Sequence, residues 1–255
     1  FLCAWHGKRE EGLQLLAQAA ANPDYAAVAW QEHGWYHIFQ GNYREAELSA
    51  DRSIAVKPYW NNLSLKILLA LAWHGDLDLA QATVERLPLA SRQEDWGVSM
   101  ITYVLERRRE PREIIRFLEG IPTEWLRTNW SVGPTALLLG EARANAGQPG
   151  AAQRDFRRAL VLIDSRLGED PNNLEYLRLK VRCLHAMGDH AEAENVRRAL
   201  REIQPNEPWW LLARYGPADK FFAWAEASMR DKQTIWLTAA SLRLDPDFDP
   251  MRNDP

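Results

Sequence analysis

The stretch that decides the fold is Ala27–Pro58, which reads AVAWQEHGWYHIFQGNYREAELSADRSIAVKP. Apolar residues recur in it at intervals of three and four, which is the spacing of amphipathic helices. Gly41 divides the stretch in two, and Pro58 ends the second half because proline cannot continue a helix. The stretch therefore predicts two helices joined by a tight turn.

The turn recurs along the chain, first at a constant interval of 34 residues and then less regularly. The regular turns are at Gly7, Gly41, Gly75 and Arg109, and the later ones are at Gly147, Gly188 and Gly216. One turn in each constant period indicates a protein built of two-helix repeats.

Small and apolar residues follow the turns at fixed distances of five, nine and twelve positions, and they predict the buried face of each second helix. These positions are Gly12, Leu16, Ala19, Ala46, Ala50, Ser53, Ala80, Val84, Leu87, Ile114, Leu118, Ile121, Ala152, Phe156, Ala159, Ala193, Arg197 and Leu200.

Two segments explain the irregular intervals. Asp164–Pro171 predicts one or two added turns on the preceding helix, with Gly168 and Pro171 ending it. Ile121–Trp130, together with the following Gly133-Pro134, predicts a longer connection. No segment shows sustained strand alternation, so the sequence predicts an all-α fold.

The pattern of a large residue, a small one and an aromatic, then Gly, Ala and Pro, resembles the tetratricopeptide (TPR) repeat. The match is strong at residues 27–58, 133–164 and 174–205, moderate at 61–92 and weak at 95–130. The resemblance implies a right-handed superhelix (α-α solenoid) of about six to seven helix pairs, the first incomplete. Its repeats would be approximately residues 1–26 (partial), 27–60, 61–94, 95–130, 133–171, 174–205 and 206–242, with a C-terminal cap at 243–255.

The C-terminal segment carries a second resemblance. Phe221-Phe222-Ala-Trp224 and Leu242–Pro255, with its Asp245-Pro-Asp-Phe-Asp-Pro core, are similar to the closing segment of certain bacterial signalling proteins. In those proteins a TPR array follows an adenylate/guanylate cyclase, a winged-helix domain or a protein kinase domain. Because the chain begins at Phe1 in what reads as the end of a helix, we expect it to be the C-terminal part of such a protein.

The resemblance implies a non-catalytic scaffold that binds a peptide or protein segment in a concave groove lined by the first helices. Such a ligand would carry one apolar and one acidic segment, because the groove candidates are apolar in the N-terminal repeats and charged in the C-terminal ones. The groove candidates are Gln31, Trp35, Ile38, Phe39, Leu69, Trp73, Glu141, Asn145, Arg178, Arg182 and His185.

Two alternatives stay open for these positions. Trp35 and Trp73 could instead pack against adjacent repeats or against a second copy of the chain, which would make it a homo-oligomerisation module. Arg178 and Arg182 could belong to a solvated face that is paired with Glu175. Gln31 and Trp35 replace the Lys and Asn of the clamp by which some TPR domains bind chaperone C-termini, which argues against that ligand.

Composition excludes several classes of partner. The chain has 255 residues, is 46% hydrophobic and carries a net charge of -4, whereas nucleic-acid binding normally needs a basic face. No apolar run approaches the roughly 18 residues of a membrane helix. Cys3 and Cys183 are too far apart in sequence to suggest a disulfide framework, and because both lie among apolar helix residues we expect them to be inert. The cytoplasm is the favoured compartment, with the extracytoplasmic side of a membrane-anchored parent as the alternative.

The sequence also offers weak hints of chemistry, and each has a structural explanation. His33 and His37 have zinc-ligand spacing, but Gly34 stands where the protease motif needs Glu, and both are predicted to face the partner helix. Asp245, Asp247 and Asp249 lack the Gly and Glu of a calcium loop and predict a terminal cap. Arg107–Arg109 alternate with acidic neighbours and predict a solvated helix end. We therefore expect no enzyme activity, metal or cofactor.

Overall fold

The computed structural model describes residues 9–128, 131–230 and 237–252. These residues fall into two compact units. The first unit comprises residues up to Arg92 together with residues from Leu212 onward, and the second comprises Gln93–Leu211. Predictions made for Phe1, Cys3, Gly7 and Trp130 lie outside the described residues.

Helices form nearly all of the regular structure. In chain order they are α1 (Arg9–Ala20), α2 (Ala26–Phe39), α3 (Tyr43–Val56), α4 (Trp60–Leu69), a π-helical turn (Ala70–His74), α5 (Leu77–Glu85), a 3₁₀ turn (Ala90–Arg92), α6 (Asp95–Arg107) and α7 (Pro111–Glu119). They continue with α8 (Thr135–Asn145), α9 (Pro149–Glu169), α10 (Leu174–Met187), α11 (His190–Ile203), α12 (Trp209–Tyr215), α13 (Ala218–Arg230), α14 (Ala239–Leu244), a 3₁₀ turn (Pro246–Phe248) and α15 (Asp249–Arg252).

Consecutive helices pack on one another within each unit. In the first unit α2 packs on α3, and α4 packs on both of them. In the second unit α8 packs on α9, α9 on α10, and α10 on α11. The all-α arrangement of successive packed helices confirms the predicted fold class. The number of repeats and the repeat boundaries stay predictions.

A left-handed backbone marks the turns. The φ angles are 72° at Gly41, 66° at Gly75, 59° at Arg109, 73° at Gly147 and 84° at Gly188. Glycine adopts this conformation without steric cost, whereas a residue with a Cβ does not. Arg109 is the one non-glycine residue with positive φ in the described chain, so the 34-residue period located this turn although its glycine is missing.

The buried face of the second helices also follows the prediction. The positions predicted for this face are buried, except Leu16, Ala19 and Ile121, which are half-buried. Arg197 occupies such a position with its charge neutralised, because Nε and Nη2 each donate to a carboxylate oxygen of Glu207 at 3.0 Å. At Gly140 a methyl group would lie 2.6 Å from the Phe156 ring, so α8 and α9 approach closely there.

A β-hairpin occupies the connection that the sequence left undefined. Strand β1 (Trp125–Arg127) pairs antiparallel with β2 (Val132–Pro134), and Leu126 lies opposite Gly133. This hairpin is a local addition to the all-α fold that the sequence did not predict. Three-residue strands are too short to show alternation in sequence, and their pairing depends on the helices that they pack against.

Pro246 and Pro250 lie in the first turns of helical segments. Pro246 opens the last 3₁₀ turn, and Pro250 lies in the first turn of α15, where an amide hydrogen has no helical acceptor. Phe248 is buried, and its ring lies 5.6 Å from that of Phe221. The added turns at residues 164–171 are confirmed, because α9 extends to Glu169.

The strain at Arg109 yields the first prediction. Arg109→Gly and Arg109→Ala both remove the side chain, so the difference between them isolates the backbone conformation. We expect the Gly variant to have the higher free energy of unfolding by about 1 kcal/mol, measured by urea denaturation.

Arg157, exposed within α9, is the matched control for that comparison. There Arg157→Gly should be less stable than Arg157→Ala by about 1 kcal/mol, because the helix interior penalises glycine. If the Gly variant is more stable than the Ala variant at both positions, or less stable at both, the assignment of strain to Arg109 is contradicted.

Candidate functional site

The predicted groove residues divide between the two units, and each set is described separately. The first unit holds Gln31, Trp35, Ile38, Phe39, Leu69 and Trp73, and the second holds Glu141, Asn145, Arg178, Arg182 and His185.

Three residues of the first set are buried. Gln31, Ile38 and Leu69 are 2%, 4% and 1% exposed. Ile38 and Leu69 belong to one core cluster, and the Tyr59 hydroxyl donates to Oε1 of Gln31. Gln31 and Ile38 lie on α2, against which α4 packs, and Leu69 lies on α4 itself, so all three side chains are enclosed within the fold. Their role as groove residues stays a prediction.

The remaining members, Trp35, Phe39 and Trp73, form together with Val28 and Tyr43 what we call the aromatic surface. Val28, Phe39 and Trp73 are 50%, 43% and 37% exposed, while Trp35 and Tyr43 are half-buried. Val28, Trp35 and Phe39 share one side of α2 because seven and four residues separate them. Trp73 comes from the π-helical turn of the next repeat.

Contacts between rings hold the aromatic surface in place. The centroids of Trp35 and Phe39 are 6.4 Å apart, and Trp73 stacks on Tyr43 at 6.2 Å with an angle of 22° between the rings. Trp35 and Tyr43 pack against the same core cluster. The rings are therefore ordered before any ligand arrives.

A polar network fixes the turn that carries Trp73. Glu47 of α3 accepts hydrogen bonds from Lys66 Nζ at 2.9 Å and from His74 Nε2 at 3.1 Å, and Lys66 also donates to Asp51 at 2.8 Å. Burial raises the pKa of Glu47, but the hydrogen bonds from Lys66 and His74 outweigh it and hold that pKa below its usual range. The ring of His74 lies 4.3 Å from that of Trp73.

The His33 and His37 pair packs within the first unit. The two rings are 4.5 Å apart, and His33 Nδ1 lies 2.8 Å from Ser49 Oγ on α3, so His33 faces the partner helix as predicted. Burial lowers the pKa of both residues, and for His33 the neighbouring His37 and Arg52 lower it further. No group of three or more His, Cys, Asp or Glu side chains in the described ranges is arranged to hold a metal ion.

In the second unit an ion pair links α8 to α10. Nε and Nη2 of Arg182 donate to the two carboxylate oxygens of Glu141, and both side chains are half-buried. This two-point geometry satisfies both charges internally. A ligand carboxylate would have to displace Glu141 to reach Arg182, which weakens the expectation of an acidic ligand segment.

The other predicted residues of the second unit have different environments. Arg178 donates to Oε1 of Gln204 rather than to Glu175, and its buried Nε has no hydrogen-bond partner within the described chain. Nδ1 of His185 lies 3.1 Å from Nδ1 of His190 across the turn, and burial and His190 lower the pKa of His185. Asn145 is exposed at the end of α8.

Two further predictions can be compared with the structure. Cys183 is buried, its Sγ donates to the Phe156 carbonyl oxygen, and burial raises the pKa of its thiol to about 12, so it is chemically inert as predicted. Arg107 was predicted to be solvated, and this prediction is wrong. It is buried, with its guanidinium over the Tyr103 ring, because α6 is covered along most of its circumference.

A family comparison agrees with this architecture. The family profile of the tetratricopeptide repeat matches residues 147–215. The match begins at the left-handed Gly147 and covers α9 to α12, so the described chain has the all-α fold of a TPR-like solenoid. A search of curated proteins finds no match. TPR repeats generally mediate protein–protein interaction, and none of the helices described is both long and apolar enough to span a bilayer.

The histidine pair predicts a pH dependence of stability. The folded chain holds His33 and His37 at lowered pKa values, so below about pH 6.5 the unfolded chain binds more protons. The free energy of unfolding should therefore fall as the pH drops from about 7.5 to about 5.5. Urea denaturation of a double variant, His33→Gln with His37→Gln, should show a shallower fall. If the free energy of unfolding of the double variant falls with pH as steeply as that of the wild-type chain, the pH dependence does not come from His33 and His37.

The Glu141–Arg182 pair predicts a measurable coupling energy. A double-mutant cycle with Glu141→Gln and Arg182→Gln should give about 1–2 kcal/mol, because the pair is half-buried and two-pronged. The control is the exposed pair Glu113–Arg116, for which we expect about 0.3–0.5 kcal/mol. Equal coupling energies in the two pairs would show that partial burial and two-point geometry do not strengthen the Glu141–Arg182 pair.

Proposed function

We propose that this chain is a non-catalytic interaction scaffold whose aromatic surface binds an apolar segment of a peptide or protein. The observation that carries the proposal is the set of exposed and half-buried rings on the first helices of two successive repeats. We further propose, from the resemblance of the closing segment, that it serves as the sensory or docking region of a bacterial signalling protein, with the cytoplasm as its compartment.

The energetics of the aromatic surface support a binding role. Contiguous exposed apolar side chains are costly in water and mark interaction sites on folded proteins. Trp, Tyr and Phe offer large contact areas and lose little entropy when they bind. Because Trp35 and Tyr43 pack on the core and Trp73 stacks on Tyr43, a ligand would not have to order these rings.

The remaining chemistry of the first unit favours an apolar ligand over a charged one. Beside the aromatic surface, Lys66 donates to Glu47 and to Asp51, and Glu47 also accepts from His74. Their charges are largely satisfied within the fold, so little net attraction remains for a charged partner. Affinity would therefore come from burial of apolar area against Phe39 and Trp73.

Selection from a random peptide library tests this proposal. A phage-displayed library is panned on the immobilised chain, and the enriched peptide is titrated by fluorescence polarisation. Phe39→Ala and Trp73→Ala should each weaken its binding about 30-fold, since aromatic anchors contribute about 2 kcal/mol at interfaces.

The matched control is Leu89→Ala, which removes another exposed apolar side chain of the first unit, 78% exposed. It should leave the affinity unchanged. Absence of any enriched peptide, or equal binding by all three variants, would contradict the proposal.

Light scattering addresses self-association, the alternative role for the same surface. If the wild-type chain doubles its mass at tens of micromolar while Phe39→Ala and Trp73→Ala remain monomeric, the aromatic surface is a homodimer interface and the peptide proposal is displaced.

A further inference from the structure

The C-terminal segment, residues 237–252, packs on the π-helical turn of the first unit although more than 160 positions separate them in sequence. α14 lies against Ala70–His74, and the Thr238 hydroxyl donates to the carbonyl oxygen of Ala72. Ala240 is buried there, 3.3 Å from where a methyl group at Gly75 would be. A solenoid repeat normally contacts only its sequence neighbours, so this contact is an addition to the repeat plan.

The π-helical turn has an unusual need for such a contact. The amides of Gly75 and Asp76 both donate to the Ala70 carbonyl oxygen, which closes the wide turn. The last carbonyl groups of a helix lack donors from within it. Thr238 supplies a donor to one of them, that of Ala72, from outside the helix.

Trp73 belongs to the same turn and follows Ala72 directly. Its ring stacks on Tyr43 in the aromatic surface. A π turn holds one residue more than an α turn, so conversion between the two changes the direction in which the side chains of the turn point. Whatever stabilises the π geometry therefore also sets the position of the Trp73 ring.

The C-terminal segment is itself a folded element. The buried Asp245 accepts a hydrogen bond from the Asp247 amide at 3.0 Å. The Arg252 guanidinium donates to the carbonyl oxygens of Leu242 at 2.9 Å and Asp245 at 2.7 Å. Because these bonds close within the segment, it can act on the turn as one body.

We propose that the C-terminal segment is a brace that holds the π-helical turn and thereby positions Trp73 in the aromatic surface. Release of the segment would let the turn rearrange and move the Trp73 ring away from Tyr43. The effect on ligand binding rests on the proposed function, whereas the coupling between Thr238 and Trp73 does not. Thr238 is in this sense a positioning residue.

Substitutions at Thr238 separate its two roles. Its Oγ1 also caps α14 by accepting a hydrogen bond from the Ser241 amide at 3.0 Å. Thr238→Asp keeps a good helix cap, but an ionised carboxylate cannot donate to Ala72. Thr238→Ser keeps both the cap and the donor and is the matched control. Ala240→Glu is a second disrupting variant, because it places a charge in the buried contact.

The readout is fluorine NMR of the whole chain labelled with 5-fluorotryptophan, in which Trp73→Phe identifies one of the 12 tryptophan signals. We expect Thr238→Asp and Ala240→Glu to shift or broaden the Trp73 signal and Thr238→Ser to leave it in place. Circular dichroism checks that each variant is folded. An unmoved Trp73 signal in both folded disrupting variants would overturn the proposal, as would an equal shift in Thr238→Ser.

A second arm keeps this proposal distinct from the proposed function. The probe is the peptide enriched on the wild-type chain, and its affinity should fall in Thr238→Asp toward that of Trp73→Ala. If the fluorine signal moves while no peptide is ever enriched, the brace stands and the peptide-binding function fails. If the affinity is unchanged while the Trp73 signal moves, the brace does not control the ligand surface, and that part of the proposal is overturned.

Discussion

The left-handed residue at the turns from Gly41 to Gly188 is the constraint on which the rest of the structure depends. It reverses the chain within a few residues, so that a second helix returns along the first and buries small side chains against it. Gly41, Gly75, Gly147 and Gly188 adopt this conformation freely, and Arg109 adopts it at an energetic cost. That a residue with a Cβ is tolerated shows that the packing of α6 and α7 outweighs the local strain.

Once the helices are paired, their two faces have different roles. Second helices bury Ala, Ser and Val close to the turn, as Ala46, Ala50 and Ser53 do in α3. First helices carry larger side chains, and those that the next repeat does not cover remain at the surface. In α2 this leaves Trp35 half-buried and Phe39 exposed, and Trp35 packs on the same core cluster as Tyr43, the ring on which Trp73 stacks. The aromatic surface thus follows from the offset between successive repeats.

The positions of turns and buried residues could be predicted because they depend on local spacing alone. Gln31, Ile38 and Leu69 could not be sorted from Phe39 and Trp73 in this way, since exposure on α2 depends on how closely α4 approaches it. The pairing of Arg178 with Gln204 instead of Glu175 was also beyond reach, because it joins residues of different helices. Short strands and the docking of α14 likewise depend on contacts between distant segments.

The sequence by itself determined the helical repeat, the turn at Arg109, the buried small positions and the general class of interaction protein. Period and residue size encode these features, and both can be read along the chain. Only the tertiary structure decided which aromatic rings face water, that Arg182 is already neutralised by Glu141, and that Thr238 contacts the turn beside Trp73. These features arise from the distances between helices, which side-chain packing sets and which no single segment encodes.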